Sequence, residues 1–386
     1  MSKSIQCVLW LCFLIPSLQA QQVEHITLQS QALQQEREIS IYTPLVYQET
    51  PYLYFDVFYV FDAQNREFFD YVHSLLSFYC PPRNPFIVVG IKSNQNQDLE
   101  YARNNDLLPV LTTQRAKDYY GPYAGNIENF RAYVRDEVMP YVETHYRTYP
   151  RRTAIGHSLS ASFVLYSLTQ DPGLFNNYLA VSPNLAYEDD LMAKAMLNFD
   201  YSLLQPNTFL YVSSADEENY WPHWLGARKK VHAFLQKKKN VGNVTVLVNE
   251  YPDKDHREVF PTSLGAGIEA LLGSVYDSQK PPLSAQAHSV TIRVQVPNPS
   301  DELYIVGNQP ALGDWDPGRV KMEKTGPRER SITLPLQSLA ELKFTRGSWQ
   351  SEASVKDGLG ANLMIAPEAG KTYTFEVLGY GDDQGE

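Results

Sequence analysis

The run Phe86-Ile-Val-Val-Gly-Ile91 constrains the fold more than any other segment. A strand with no polar face must be covered on both sides, as an inner strand of a parallel sheet between helix layers is. Around it, from about Glu24 to Tyr276, short apolar runs alternate with helical patterns, the signature of an α/β sheet. Strands are expected at Arg37–Tyr42, Tyr54–Phe61, Phe86–Ile91, Arg152–Ile155, Tyr178–Val181, Phe209–Ser213 and Thr245–Tyr251. Amphipathic periodicity predicts helices over Ile127–Arg147 and Trp221–Lys239. Ser160–Thr169 and Pro261–Leu272 complete the helical set.

The pattern changes near Asp277. Residues 277–288 are polar and proline-bearing, as a linker is. Beyond them Val290-Thr-Ile-Arg-Val-Gln-Val296 and Glu302-Leu-Tyr-Ile-Val306 alternate cleanly, and short strands recur to about Gly379. This texture predicts a smaller all-β sandwich over 289–386. A chain of 386 residues has room for two such cores.

Residues 1–20 read as a secretory signal peptide, with Lys3 ahead of the apolar run Val8–Ile15, then Pro16 and the small Ala20. That run is too short to anchor in a bilayer, and no other segment approaches the length of a membrane span. A secreted or periplasmic location is therefore expected. Cys7 and Cys12 leave with the signal, so Cys80 has no intrachain disulfide partner and is expected to be a buried, inert thiol. With 33 basic and 44 acidic residues the net charge is −11, which recruits neither nucleic acid nor anionic lipid. The eight histidines show no paired metal-ligand spacing, so no metal and no cofactor are expected. Asn243-Val-Thr245 is a glycosylation acceptor only in a eukaryotic host.

The chemistry centres on Ala154-Ile155-Gly156-His157-Ser158-Leu159-Ser160-Ala161. An apolar strand runs into a helix with a serine at the turn. A serine hydroxyl becomes a useful nucleophile only when a base takes its proton and donors hold the oxyanion. Chain order supplies partners in the α/β-hydrolase sequence of serine, acid, histidine. Asp216, with Glu217 as the alternative, follows the Phe209–Ser213 strand; His256 follows the Thr245–Tyr251 strand. Catalytic groups gather at such carboxyl ends. Trp221-Pro-His-Trp224 follows the acid loop as a candidate pocket wall.

From about Thr27 to Leu272 the chain resembles the esterase family of α/β-hydrolases that includes enterochelin (siderophore) esterases and feruloyl esterase domains. The stretches that carry the likeness are Glu38-Ile-Ser-Ile-Tyr-Thr-Pro44, Tyr59-Val-Phe-Asp62, Ile87-Val-Val-Gly-Ile91 and Arg103-Asn-Asn-Asp-Leu107. Phe130–Tyr141, Tyr146-Arg-Thr148, Gly156-His-Ser158, Val181-Ser-Pro-Asn184 and Tyr251–His256 continue it. The resemblance implies Ser158 as nucleophile, His256 as general base, and Asp216 or Glu217 as the acid that orients it. An oxyanion hole would use the N–H of Leu159 and that of Ala63 or Gln64. The chain departs from the family at Ser160, Ala161 and Ala63, where glycines are usual; this leaves room for a relative that binds without hydrolysing.

Leu303-Tyr-Ile-Val-Gly-Asn-Gln-Pro-Ala-Leu-Gly-Asp-Trp-Asp-Pro317, with Leu342–Trp349 and Asn362, resembles the starch-binding carbohydrate-binding modules. That likeness implies a sugar site of Trp315, Lys343 and Trp349, since flat aromatic faces suit sugar C–H surfaces. Together the two resemblances imply a serine esterase acting on a small-molecule or glycan ester, with a polysaccharide as possible partner. A siderophore-type ester with a structural second domain is the alternative.

Overall fold

The computed structural model describes residues 22–80, 85–94, 102–121, 123–218, 220–237 and 243–385. The signal-peptide expectation at 1–20 lies outside them. One sheet has the order β1-β2-β4-β3-β5-β6-β7-β8. These strands are β1 (Gln22–Ser30), β2 (Gln35–Thr43), β3 (Phe55–Phe61), β4 (Phe86–Ile91), β5 (Thr148–His157), β6 (Asn177–Val181), β7 (Thr208–Ala215) and β8 (Val244–Tyr251). β1 and β2 are antiparallel to their neighbours, and the rest run parallel.

Strands β3, β4 and β7 are buried at every residue, β4 along an unbroken apolar run and β3 and β7 along largely apolar ones. Helices cover both faces. Ile127–His145 and Leu159–Gln170 pack on one side with Phe61, Phe130 and Phe163. Arg66–Tyr79 and Val259–Ser274 pack on the other with Phe58, Phe69 and Leu264. The predicted helix over Ile127–Arg147 contains a π turn at Val134–Val138 and ends at His145, where β5 takes over at Thr148.

Several elements differ from expectation. β1 was not expected: it is an edge strand with alternating exposure, and its few apolar side chains make no run. The helix Arg66–Tyr79 was also missed, although Phe69, Val72 and Leu76 mark a buried helical face. Tyr187–Asn198 gave no periodic signal because Glu188, Asp189 and Asp190 hold left-handed backbone.

Two further sheets lie in the β-rich C-terminal region. One is β11-β10-β14-β16, from Val320–Lys321, Tyr304–Gly307, Ala340–Thr345 and Leu363–Ile365. The other is β12-β13-β9-β17-β15, from Glu323–Lys324, Glu329–Gln337, Ala287–Gln295, Thr372–Tyr380 and Ala353–Val355. They enclose Ile292, Ile305, Leu342, Phe344 and Phe375. The first strand of this region starts at Ala287, inside the expected linker. The linker is itself fastened: Gln279 is buried and donates to Asn177 Oδ1 at 2.6 Å.

The β-rich region also meets the large sheet's end of the chain. Tyr52 packs on Phe375 at 4.5 Å, and its hydroxyl donates to the Thr374 carbonyl at 3.0 Å. Tyr149 donates to Glu341 at 3.2 Å. Cys80 is buried, and burial pushes its thiol up to about 12, so it is not a thiolate at neutral pH.

Candidate active site

The parallel strands deliver their loops to one edge of the sheet. Asp62 follows β3, Ser158 follows β5, Ser182 follows β6, Asp216 and Glu217 follow β7, and His256 follows β8. Ser158 has φ 59° and ψ −122°, left-handed backbone that a non-glycine residue holds only under constraint. Its N–H donates to the Val181 carbonyl at 3.0 Å, which locks the turn onto β6. Gly156 is obligatory: a Cβ there would lie 2.4 Å from the Ser160 carbonyl oxygen.

The unusual serine at position 160 fits this turn. Ser160 is fully buried; its hydroxyl donates to the His157 carbonyl at 2.9 Å and accepts from the His157 N–H at 3.0 Å. A hydroxyl satisfied in both roles costs little to bury. The departure from glycine therefore leaves the elbow intact, with Ala161 buried directly behind it.

The acid paired with the histidine is Glu217 rather than Asp216. His256 Nδ1 lies 2.8 Å from Glu217 Oε1. Glu217 is buried, with the Ser182 hydroxyl also donating to it and Arg228 Nη1 3.0 Å away. These donors hold the carboxylate as an acceptor, so Nδ1 carries the His256 proton and Nε2 is left without one. Asp216 instead turns back on its own loop. It accepts from the Glu218 N–H at 3.3 Å, and its own N–H donates to the Lys254 carbonyl at 2.9 Å.

The turn after β3 corrects a second expectation. The Ala63 N–H donates to the Ile91 carbonyl at 3.1 Å and is spent on the sheet. Gln64 remains the candidate donor there, with Leu159 at the helix start. The Gln64 side chain braces its turn, donating to Asp62 Oδ1 at 2.8 Å and accepting from the Ser93 N–H at 2.9 Å. Asp62 is buried and meets Arg103 Nη2 at 2.8 Å. Burial opposes its ionisation, but the Arg103 charge and the hydrogen bonds from Arg103, Gln64 and Ser93 outweigh this and lower its pKa.

A cleft of about 310 Å³ opens over Ser158 and Leu159, walled by Trp221, Trp224, Tyr119 and Tyr120. Trp221 and Trp224 stack at 4.7 Å and 13°. Each meets the His256 ring edge-on, at 4.8 and 5.6 Å. The tryptophan pair thus buttresses the histidine and forms the pocket wall that the sequence suggested. Tyr119 and Tyr120 also border an adjoining cavity of about 200 Å³ that contains Arg115 and His223. Among the described residues no group of three or more His, Cys, Asp or Glu is arranged to hold a metal ion.

In the β-rich region Trp315 and Trp349 come together, with ring centroids 6.4 Å apart and planes tilted by 33°. Gly313, Asp314 and Trp315 all have positive φ, a strained turn that sets the Trp315 ring. Lys343 Nζ is tied to the Glu352 carboxylate and to the Gly360 carbonyl at 3.2 Å.

Fold and site together define an α/β-hydrolase fold with a serine on a strand-to-helix elbow and a carboxylate-paired histidine. The esterase family, described as "Putative esterase", matches residues 30–255, and the chain belongs to it. It is 28% identical over 120 residues to the ferri-bacillibactin esterase BesA of Bacillus subtilis (strain 168). That stretch is 30% of this chain and 42% of the relative. Among solved structures, the fold is similar to an IroE-like serine hydrolase from Shewanella oneidensis (TM-score 0.55, 22% identity, 64% of this chain and 79% of that one). It is also similar to the siderophore hydrolase EstA of Aspergillus nidulans (TM-score 0.54, 20% identity, 65% and 95%). The BES protein of Bacillus cereus shares it as well (TM-score 0.52, 20% identity, 70% and 98%).

Proposed function

We propose that the protein is a serine esterase that hydrolyses siderophore-type esters through an acyl-enzyme. Ser158 Oγ attacks the ester carbonyl while His256 Nε2 takes its proton. The N–H groups of Leu159 and Gln64 receive the oxyanion, and His256 then gives the proton to the leaving alcohol. Water, activated by the same nitrogen, releases the acid. Glu217 keeps the imidazole in the required tautomer and stabilises the imidazolium. The observation that carries this reading is the 2.8 Å contact between His256 Nδ1 and buried Glu217.

The substrate class draws on the ferri-bacillibactin esterase relative and on the aromatic walls of the cleft. Flat tryptophan and tyrosine faces suit an aromatic substrate group. An acylated glycan, the first expectation from sequence, ranks below this. The test is a panel of a siderophore ester, a feruloylated glycan and an acetylated glycan. The siderophore ester is expected to have the highest kcat/KM; a clear preference for either glycan ester overturns the assignment. Secretion or periplasmic residence stays part of the reading and rests on Met1–Ala20.

A second reading concerns the β-rich region, which we propose as a glycan-binding platform centred on Trp315 and Trp349. It is supported by their pairing and by Trp349, a tryptophan 42% exposed. Retention on insoluble starch is expected to fall about tenfold or more in Trp315→Ala, the loss of one stacking face. Equal retention of wild type and variant removes this role.

A further inference from the structure

We infer that His157 is a positioning residue for the base: its donated hydrogen bond to the His256 main-chain carbonyl ties the histidine loop to the serine turn. This rests on the esterase reading above and adds to it. His157 Nε2 lies 2.6 Å from the His256 carbonyl oxygen. A carbonyl only accepts, so Nε2 carries a proton and is the donor. Its ring is buried, 4.7 Å from the His256 ring, 5.3 Å from Phe68 and 5.6 Å from Phe260. Burial and the neighbouring His256 hold its pKa down to about 3, which keeps the donor neutral throughout the working range.

The sheet alone does not set the distance between nucleophile and base. Ser158 follows β5 and His256 follows β8, with β6 and β7 between them, and β8 is an edge strand. Within its own loop, the segment around His256 is shaped by local bonds. Asp255 Oδ1 accepts from the N–H groups of Arg257 and Glu258 at 2.8 Å each, and the Val259 N–H donates to the Asp255 carbonyl at 3.1 Å. These bonds fix the loop's shape rather than its place over the serine. The Asp216–Lys254 backbone bond holds it to β7. The His157 bond reaches directly to the nucleophile's own turn, one residue from Ser158. A buried imidazole among aromatic rings where a phenylalanine would pack suits this tie.

The test compares steady-state kinetics of wild type, His157→Phe and His157→Gln on a chromogenic ester, with melting temperatures recorded. In His157→Phe, kcat is expected to fall about 10- to 100-fold, the scale of an ångström-level misplacement, with KM nearly unchanged. The fluorophosphonate labelling rate should fall in step. His157→Gln keeps an amide N–H donor and should recover most of kcat. Wild-type kcat in a folded His157→Phe, a loss confined to KM, or no recovery in His157→Gln overturns the inference. Should His157→Phe fail to fold, ¹⁵N-histidine spectra of the wild type decide. An exchange-protected Nε2–H tautomer at His157 is expected, and an Nδ1–H tautomer overturns it. If the wild type has no Ser158-dependent turnover, the esterase reading fails instead, and the tautomer measurement still reports on the tie.

Discussion

Ser158→Ala is expected to lower ester hydrolysis by about 10⁴- to 10⁶-fold while leaving the fold unchanged, because a nucleophile that works as a unit with its base is lost whole. Position 158 keeps its positive φ with a Cβ in either residue, so the turn is no more strained by alanine than by serine. Its N–H bond to Val181 is a backbone contact and survives. Only Oγ disappears. The melting temperature should therefore stay within about 2 °C of wild type, since losing a hydroxyl that faces an open cleft costs little. A variant retaining a tenth or more of the activity would place the reaction on another group.

Glu217→Gln is expected to have the second largest effect, a loss of about 10³- to 10⁴-fold in kcat, with Asp216→Asn within about threefold of wild type. The amide keeps the carboxylate's shape but presents a donor as well as an acceptor. It thereby permits the wrong tautomer of His256, with the proton on Nε2 and no base facing the serine. Arg228 would also lose the buried one of its two acidic partners, keeping only exposed Glu218 at 3.6 Å, so some loss of stability should accompany the kinetic defect. Asp216 carries only a loop contact to the Glu218 N–H, and its side chain is half-buried. If instead Asp216→Asn were crippled and Glu217→Gln active, the acid in the working enzyme would be Asp216 after all.

This pair of residues also shows where sequence reading stops. The order serine, acid, histidine was visible because each follows an apolar strand. Adjacent acids at a strand's end differ only in which way the chain turns after Ala215. That turn is set by contacts with Ser182 after β6, Arg228 in the helix Trp224–Lys237 and Lys254 after β8. The same limit applied to Ala63, whose N–H is spent on Ile91 in a neighbouring strand. Strands β3, β4 and β7 were legible because burial on both faces writes a largely apolar run, unbroken in β4. Edge strand β1 was not, since a polar alternation with few apolar side chains looks like loop. The elbow was legible as Gly156-His-Ser158, but the fitness of Ser160 was not. It depends on two hydrogen bonds that only the folded turn provides.

The central claim is that Ser158 is a nucleophile activated by His256 and Glu217. Intact-protein mass spectrometry after treatment with a fluorophosphonate, followed by peptide mapping, tests it most directly. The account predicts a single phosphonyl adduct on the Ser158 peptide, absent in Ser158→Ala and formed far more slowly in Glu217→Gln. A folded wild-type protein that takes up no adduct, or takes it up on another residue, would contradict the account and leave a hydrolase fold that binds without hydrolysing.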